Sequence, residues 1–420
     1  MAEKFVIQGG KPLEGVIEVR GYKNAAGAIL SACLLTDEQC LVDNLPLVED
    51  IFCLIEILKS MGVRAEWVSE RKLKIKAEQI DPQNMDFEKV PQTRISVLLI
   101  GSLLARFKNF KIPHPGGDRI GVRPITVHLQ ALKKIGAKIN TKDGFYYFER
   151  SNLKGQELIL KEFSVTATEN LMLAAVKAEG RTIIKGAACE PQVQDLGRML
   201  KKMGAKIEGI GTHTIIIEGV DKLQGVEHRI IPDPSEAATF IVAGAITPGT
   251  VEIRQMNLDH LDMFLDKLEE LGVNLKKGPD SVQVSYSPDL KPVRIQALPF
   301  PGFPTDLLPI ITPLLAQAQG KSLIHDPLYE NRFGYLQEMK KMGADIEIVD
   351  PHRALVFGKT PLQGLSIESW DIRAGASLVI AGLLAKGRTT INNIYQIDRG
   401  YERIEERLQQ LGADIQRVKT

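Results

Sequence analysis

The chain has 420 residues, 44% of them apolar, which is enough for sizeable cores in two or three domains and too many for intrinsic disorder. Lys and Arg number 53 against 52 Asp and Glu, so the net charge of +1 gives no overall case for a nucleic-acid or membrane-surface binder. The longest strongly apolar stretch, Ile95 to Ala105, is too short to span a bilayer, and the Met1-Ala2-Glu3-Lys4 start leads into no signal-peptide segment, which predicts a soluble, unexported, cytoplasmic chain.

Along the chain one short pattern recurs six times: KSMGVRAEW, KKIGAKINT, KKMGAKIEG, EELGVNLKK, KKMGADIEI and QQLGADIQR. The glycines Gly62, Gly136, Gly204, Gly272, Gly343 and Gly412 are 68 to 74 residues apart, so six units of about 70 residues account for the whole chain. Each copy has apolar residues at helical spacing before the glycine (Ile51, Leu54, Ile55, Leu58 and Met61 in the first) and an alternating run after it. That order predicts an amphipathic helix, a left-handed ending and a strand. Several copies continue through a turn into a second strand, most plainly at Lys142-Asp143-Gly144 before Phe145 to Phe148. Gly209-Ile210-Gly211 is an incomplete dinucleotide fingerprint and reads as another turn.

Between these glycines lies a second recurring segment: NAAGAILSACLL, RISVLLIGSLLA, TENLMLAAVKAEG, SEAATFIVAGAITPG, DLLPIITPLLAQAQG and RAGASLVIAGLLAKG. A helix apolar all round is a buried helix, so each unit is expected to hide this one behind its sheet, three units around each of two cores. Unrelated α/β modules sharing a common helix ending would not give six regularly spaced copies.

The polar residues of these helices gather at their starts: Lys23-Asn24, Arg94, Ser164 to Thr168, Asp233 and Glu236, Thr305-Asp306, Asp371 and Arg373. Helix N-termini offer unpaired N–H groups and a positive dipole end, so with Lys and Arg beside them they predict an anion trap. Loops after the buried helices add His114, Asp118, Arg119, Arg123, Glu190, Arg332 and Arg399. A single Arg is most often a solvated or structural ion pair, but recurrence at equivalent positions points to multiply anionic small molecules, with a cleft between the two cores as the expected place.

The chain has no G-x-x-x-x-G-K-[ST], H-E-x-x-H or G-x-S-x-G motif. His114 and His128 lack a third metal-type ligand nearby, and Cys33, Cys40, Cys53 and Cys189 show no C-x-x-C spacing. No metal and no cofactor is expected, and the thiols are expected to be reduced.

At KNAA, PGGDRIGVRP, FPTD, ENRF, DIRAGASLVIAG and IDRGYERIEERLQQLGADI the chain closely resembles the UDP-N-acetylglucosamine 1-carboxyvinyltransferases, end to end and most strongly in the last fifty residues. The resemblance implies a two-domain inside-out α/β barrel. It places residues 1–20 with 231–420 in a catalytic domain, and residues 21–230, with a mobile loop at 113–124, in the other. It also implies transfer of enolpyruvate from phosphoenolpyruvate to the sugar 3-hydroxyl, at the start of peptidoglycan and cell-wall synthesis. No nucleic-acid or membrane partner is implied, and no oligomeric state follows. Lys23, Asn24, Arg123 and Arg399 resemble the phosphoenolpyruvate contacts. Arg94, Arg123, Pro124, Ile125, Thr126, Val127, Ser164, Val165, Asp306 and Leu328 resemble the nucleotide-sugar contacts. Asp118, Asp306, Lys23 and Arg399 carry the implied catalysis, Asp306 as base and Asp118 as acid, while Glu190, Arg332, Asp371 and Arg373 match other polar residues there.

The family's usual loop Cys is Asp118 here, so the resemblance implies resistance to fosfomycin, which alkylates the thiol. A thiol holds its proton at neutral pH where a free carboxyl does not, and Arg119 and Arg123 are expected to favour the charged form of Asp118 further, with burial and bound substrate opposing them. The S-V-G-A segment and its preceding Lys are replaced by Ser164-Val165-Thr166, with Glu162 in place of the Lys and Lys161 one position early. Gly27 stands for the usual Leu and Pro234 for the usual Arg. The same-fold shikimate-pathway transferase is the competing enzyme, disfavoured by Lys23-Asn24 and Pro91-Gln92-Thr93-Arg94. A silent nucleotide-sugar-binding relative is disfavoured by the joint retention of Lys23, Asp118, Arg123, Asp306 and Arg399.

Overall fold

The computed structural model describes residues 3–118 and 120–419. The chain divides into two units: one comprises Met1–Arg20, Asp118–Val122 and Pro232–Thr420, the other Gly21–Gly117 and Arg123–Ile231. Each has its own cluster of buried apolar residues.

In the first unit the helices Pro234–Ile246, Leu307–Leu315 and Ile372–Leu384 touch one another, and nearly every residue in them is buried. Three four-stranded sheets belong to this unit. Outer helices show one apolar face only, as in Asp262–Leu271, where Phe264, Leu265, Leu268 and Leu271 are buried. The second unit repeats the plan with Lys23–Ala32, Leu99–Arg106 and Val165–Ala175 inside two four-stranded sheets and one of three strands. Helices inside and sheets outside, six times over, is the α/β arrangement that the repeat predicts. The second start of this unit differs from the plain helical expectation: Arg94–Leu98 is 3₁₀, and the α-helix begins only at Leu99.

Each four-stranded sheet pairs an edge strand in parallel with its neighbour and continues antiparallel. The exception is Asn109–Pro113, Phe145–Arg150 and Ala137–Lys142, where 3₁₀ turns at Pro82–Asn84 and Val90–Gln92 precede the first strand in place of an edge strand. This incomplete repeat is the one that carries the Asp118 loop. Gly116 fits there because a Cβ would stand 1.7 Å from the Pro91 carbonyl oxygen.

The sixth sheet is completed from the far end of the sequence. Glu3–Gln8 lies antiparallel between Arg388–Asn392 and Asp414–Lys419, in the position that a unit's own last strand fills elsewhere. Gly15–Glu18 pairs with Thr250–Arg254 in the first unit, and Glu227–Arg229 with Cys40–Asp43 in the second, so each connection between units leaves an edge strand in the unit it departs from.

All six repeat glycines have positive φ, from +85° at Gly272 to +114° at Gly136. At Gly204 the N–H donates to Lys201 O at 3.0 Å and Ala205 N–H to Leu200 O at 2.9 Å, the bonds of a left-handed helix cap. The Asp143-Gly144 turn likewise has φ of +51° and +78°, as a two-residue hairpin requires. Nothing lies within 4 Å of a Cβ at Gly204, so Gly204→Ala meets only the backbone cost of about 1 kcal/mol or more. The expected outcome is a thermal midpoint a few degrees lower, with Gly204→Asn in between; an unchanged midpoint would contradict the cap.

Candidate active site

Residues singled out in the sequence fall into two groups, one per unit. In the first unit all three inner helices are headed by an aspartate. Asp233 accepts from the N–H groups of Ser235 and Glu236, and Asp371 from those of Arg373 and Ala374, so these helix starts are capped by their own carboxylates rather than open to a ligand anion. The expected anion trap is thus modified here: the cations around these starts face carboxylates of the protein.

Asp306 shows this best. Its Oδ1 accepts from Arg332 Nη2 at 2.7 Å and its Oδ2 from Arg373 Nε at 3.4 Å, and both arginines are buried. Burial works against the charge on Arg332, but Asp306, Asp371 and Asp326 outweigh it and hold the guanidinium more firmly protonated than usual. Arg373 also lies over the Tyr401 ring, 5.2 Å from its centroid. The Thr239 hydroxyl donates to Ser235 O, so in the 2.8 Å contact with Tyr401 the phenol is the donor and its oxygen is left to accept from Arg373. Thr312 repeats this with Leu308 O and Tyr335. These hydroxyls stand six residues after Asp233 and Asp306 in the sequence.

Asp118 is a loop carboxylate paired with an arginine. Its Oδ1 accepts from Arg399 Nη1 at 2.5 Å, and Arg399 Nη1 also donates to Gln396 Oε1 at 2.9 Å. Arg123 belongs to the second unit, and Arg119 lies outside the described residues. The loop is fastened by Val122 N–H to Glu330 Oε1 at 2.6 Å and Asn331 N–H to Ile120 O at 3.1 Å. Leu328 N–H is engaged by Asp326 Oδ1 at 3.0 Å, and Asp326 also accepts from the Thr305 hydroxyl at 2.6 Å.

In the second unit two of the three inner starts lack a side-chain cap. Lys23 is buried and donates to Asp50 at 2.9 Å, while Asn24 donates to the Tyr22 hydroxyl at 3.1 Å. At Gly117, φ +121°, a Cβ would stand 2.7 Å from Arg94 Cβ and 3.1 Å from Arg123 Nη1, so both arginine side chains reach this glycine. Ile125 is buried, Val127 and Val165 pack against the same core, and Thr126 stands at the start of its helix. Ser164 caps the Val165–Ala175 helix through Ala167 N–H.

His128 and His114 have ordinary hydrogen-bonding roles. His114 stacks on Tyr146, and buried His128 joins Asn170 and Thr166; burial, then the charge of Arg94, pushes its pKa down to about 3. Glu190 lies near Glu169, whose carboxyl is raised well above its ordinary value by burial and then by the Glu190 charge. Sequence reasoning missed Asp50, Asp326 and Tyr401. Tyr401 lies inside the IDRGYER run but carries no charge to single it out. Asp50 had only a weak signal, an acid in the first turn of the next helix that a buried lysine would need.

The EPSP synthase family profile, described as 3-phosphoshikimate 1-carboxyvinyltransferase, matches residues 7–408. A UDP-N-acetylglucosamine 1-carboxyvinyltransferase of Koribacter versatilis is 44% identical over 420 residues, covering 99% of this chain and 96% of its own, and one from Caldanaerobacter subterraneus is 45% identical over 417 residues, covering 99% and 100%. The chain belongs to this family. Among solved structures, the enolpyruvyl transferase NikO of Streptomyces tendae superposes with a TM-score of 0.91 at 25% identity, covering 100% of this chain and 99% of its own. The Acinetobacter baumannii EPSP synthase, at 21% identity, a TM-score of 0.74 and complete coverage of both chains, shares the fold. This carboxyvinyltransferase therefore has the enolpyruvyl transferase fold, and among its described residues no helix is long and apolar enough to cross a membrane.

Asp233, fully buried, provides a test of the capped starts. Burial is the largest influence on its carboxyl and, with Glu236 and against Arg373 and the two cap bonds, lifts its pKa from 3.8 to about 6. The folded state therefore holds this proton more tightly than the unfolded chain, and its contribution to stability is full below about 3.8 and lost as pH rises through about 6. Asn caps as well but does not titrate. Thermal midpoints from pH 4 to 7 should show Asp233→Asn gaining on the parent protein as pH rises; parallel curves would refute the assignment.

Proposed function

We propose that this protein transfers the enolpyruvyl group of phosphoenolpyruvate to the 3-hydroxyl of UDP-N-acetylglucosamine and releases phosphate, the committed step toward peptidoglycan. The carrying observation is Asp306, a carboxylate fixed at both oxygens by buried arginines, beside relatives of that name matching from end to end. The free cysteines, with Cys33 Sγ donating to Ile29 O, support a reducing, cytoplasmic location.

In this reading the hydroxyl oxygen bonds to C2 of phosphoenolpyruvate as its proton leaves to Asp306 and another proton joins C3. The C2–O bond to phosphate then breaks as C3 gives a proton back. Asp118 delivers and recovers the C3 proton. It accepts a hydrogen bond from Arg399 on Oδ1, so as an acid it carries its proton on Oδ2. Lys23, Arg123 and Arg399 compensate the charge of phosphoenolpyruvate, with Asn24 beside them. Arg94, Arg123, Ser164 and the backbone at Pro124 to Val127 and Val165 hold the nucleotide sugar, with Leu328 contributing its carbonyl. Phosphate release with UDP-N-acetylglucosamine but not with shikimate 3-phosphate is the expected result of incubating the protein with phosphoenolpyruvate; the reverse would overturn the reading.

Asp306→Asn keeps the shape and an acceptor for Arg332, whereas Ala would strand two buried cations at a cost of about 3–5 kcal/mol. Turnover should fall by about two orders of magnitude or more with substrate affinity retained, and near-normal turnover would remove Asp306 from the chemistry. A carboxylate is a poor nucleophile toward an epoxide, so fosfomycin should leave this protein active, and Asp118→Cys should acquire time-dependent inactivation. Covalent labelling of the unsubstituted protein by fosfomycin, seen by mass spectrometry, would contradict the role given to Asp118.

A further inference from the structure

The run from Tyr395 to Arg403 carries Arg399, and its own local structure does little to hold it. Its helix, Tyr395–Asp398, is a single turn, too short to persist alone, and Arg403 closes the run at φ +38°, a conformation that a side chain disfavours. Arg417 grips the run from outside. Its Nη1 and Nη2 donate to Asp398 Oδ2 at 2.9 Å and Oδ1 at 2.7 Å, a forked pairing that fixes the carboxylate in plane and direction. Its Nε donates to Glu405 Oε1 at 2.6 Å, in the first turn of the helix Ile404–Gln410 that follows. One guanidinium thus joins residues on both sides of the turn from Arg399 to Arg403.

Arg417 has a firm base for this. Its strand pairs with Glu3–Gln8 along its whole length, Arg417 opposite Phe5, and the guanidinium lies 5.0 Å from the Phe5 ring centroid while Nη1 donates to Glu3 Oε2 at 2.8 Å. In the other repeats the position five after the glycine holds Trp67, Thr141, Gly209, Lys277 and Ile348. The arginine belongs to the sixth repeat, the one whose loop carries Arg399. Asp398 directly precedes Arg399, whose N–H donates to Tyr395 O at 3.2 Å. The backbone that Arg417 holds is therefore the one from which the Arg399 side chain leaves toward Gln396 and Asp118.

We propose that Arg417 is a positioning residue for the transfer: through Asp398 it sets the direction of Arg399, and so the reach of that guanidinium to phosphoenolpyruvate, without touching substrate itself. The inference rests on the reading that Arg399 meets phosphoenolpyruvate. A lysine at 417 would keep the charge but has no fork with which to hold both oxygens of Asp398.

The test measures KM for both substrates in Arg417→Lys, Asp398→Asn, Glu3→Gln and Arg399→Lys. Arg417→Lys and Asp398→Asn should each raise KM for phosphoenolpyruvate about tenfold, the scale of one charge-assisted hydrogen bond, with KM for UDP-N-acetylglucosamine within about twofold of the parent. Combining the two should add little to either alone, because both act through one contact. Glu3→Gln loosens the sheet end of the network but leaves Asp398 held, so both KM values should stay near the parent's. Parental KM for phosphoenolpyruvate in both Arg417→Lys and Asp398→Asn, a rise shared equally by the two substrates, or a Glu3→Gln variant as weak as Arg417→Lys would overturn the proposal while leaving the function intact. Parental KM for phosphoenolpyruvate in Arg399→Lys would instead remove the reading beneath it.

Discussion

A helix buried along its whole length still leaves backbone N–H groups unsatisfied at its start, and everything chemical in this protein follows from how those starts are satisfied. One unit uses aspartates. Asp233 and Asp371 take the N–H groups themselves, and Asp306 heads its helix with both oxygens held by arginine. In the other unit two of the three starts carry no side-chain cap, and Lys23 and Arg94 stand at them. The same repeat thus supplies fixed carboxylates in one place and cations in another.

Arrangements of this kind are costly to bury, and the structure shows what compensates them. Four cations are matched within their own unit: Arg332 and Arg373 by Asp306, Lys23 by Asp50, and Arg399 by Asp118. Removing one partner of such a pair harms more than replacing both, which is why an isosteric substitution at Asp306 is informative where alanine would not be. Tyrosine hydroxyls tied to the inner helices at Thr239 and Thr312 add rigidity around the two arginines that grip Asp306.

Much of this was legible in the sequence because it is local. Gly62 through Gly412, the Asp143-Gly144 turn and the uncharged helices each announce themselves within a dozen residues, and the backbone conformations agree. What depends on distant chain was not legible. The choice of Arg399 as partner of Asp118, 281 positions away, and of Asp50 for Lys23 is made by packing. Arg94–Leu98 has the composition of an α-helix, and its tighter 3₁₀ winding comes with the irregular Pro82–Gln92 turns before it.

The place of Glu3–Gln8 in the sixth sheet bears on the order of synthesis. Gln8 pairs with Arg388, so this strand leaves the ribosome some 380 residues before its neighbour exists. At about 5–20 residues per second it waits for tens of seconds with its backbone unpaired. The unit made of Gly21–Gly117 and Arg123–Ile231 needs nothing made later than its own last strand, so it can fold while the other is still being translated. A nascent chain of this protein therefore carries two early strands, Glu3–Gln8 and Gly15–Glu18, tethered to a finished neighbour until translation reaches their partners, and exposed strand edges of that kind are what cellular chaperones shield.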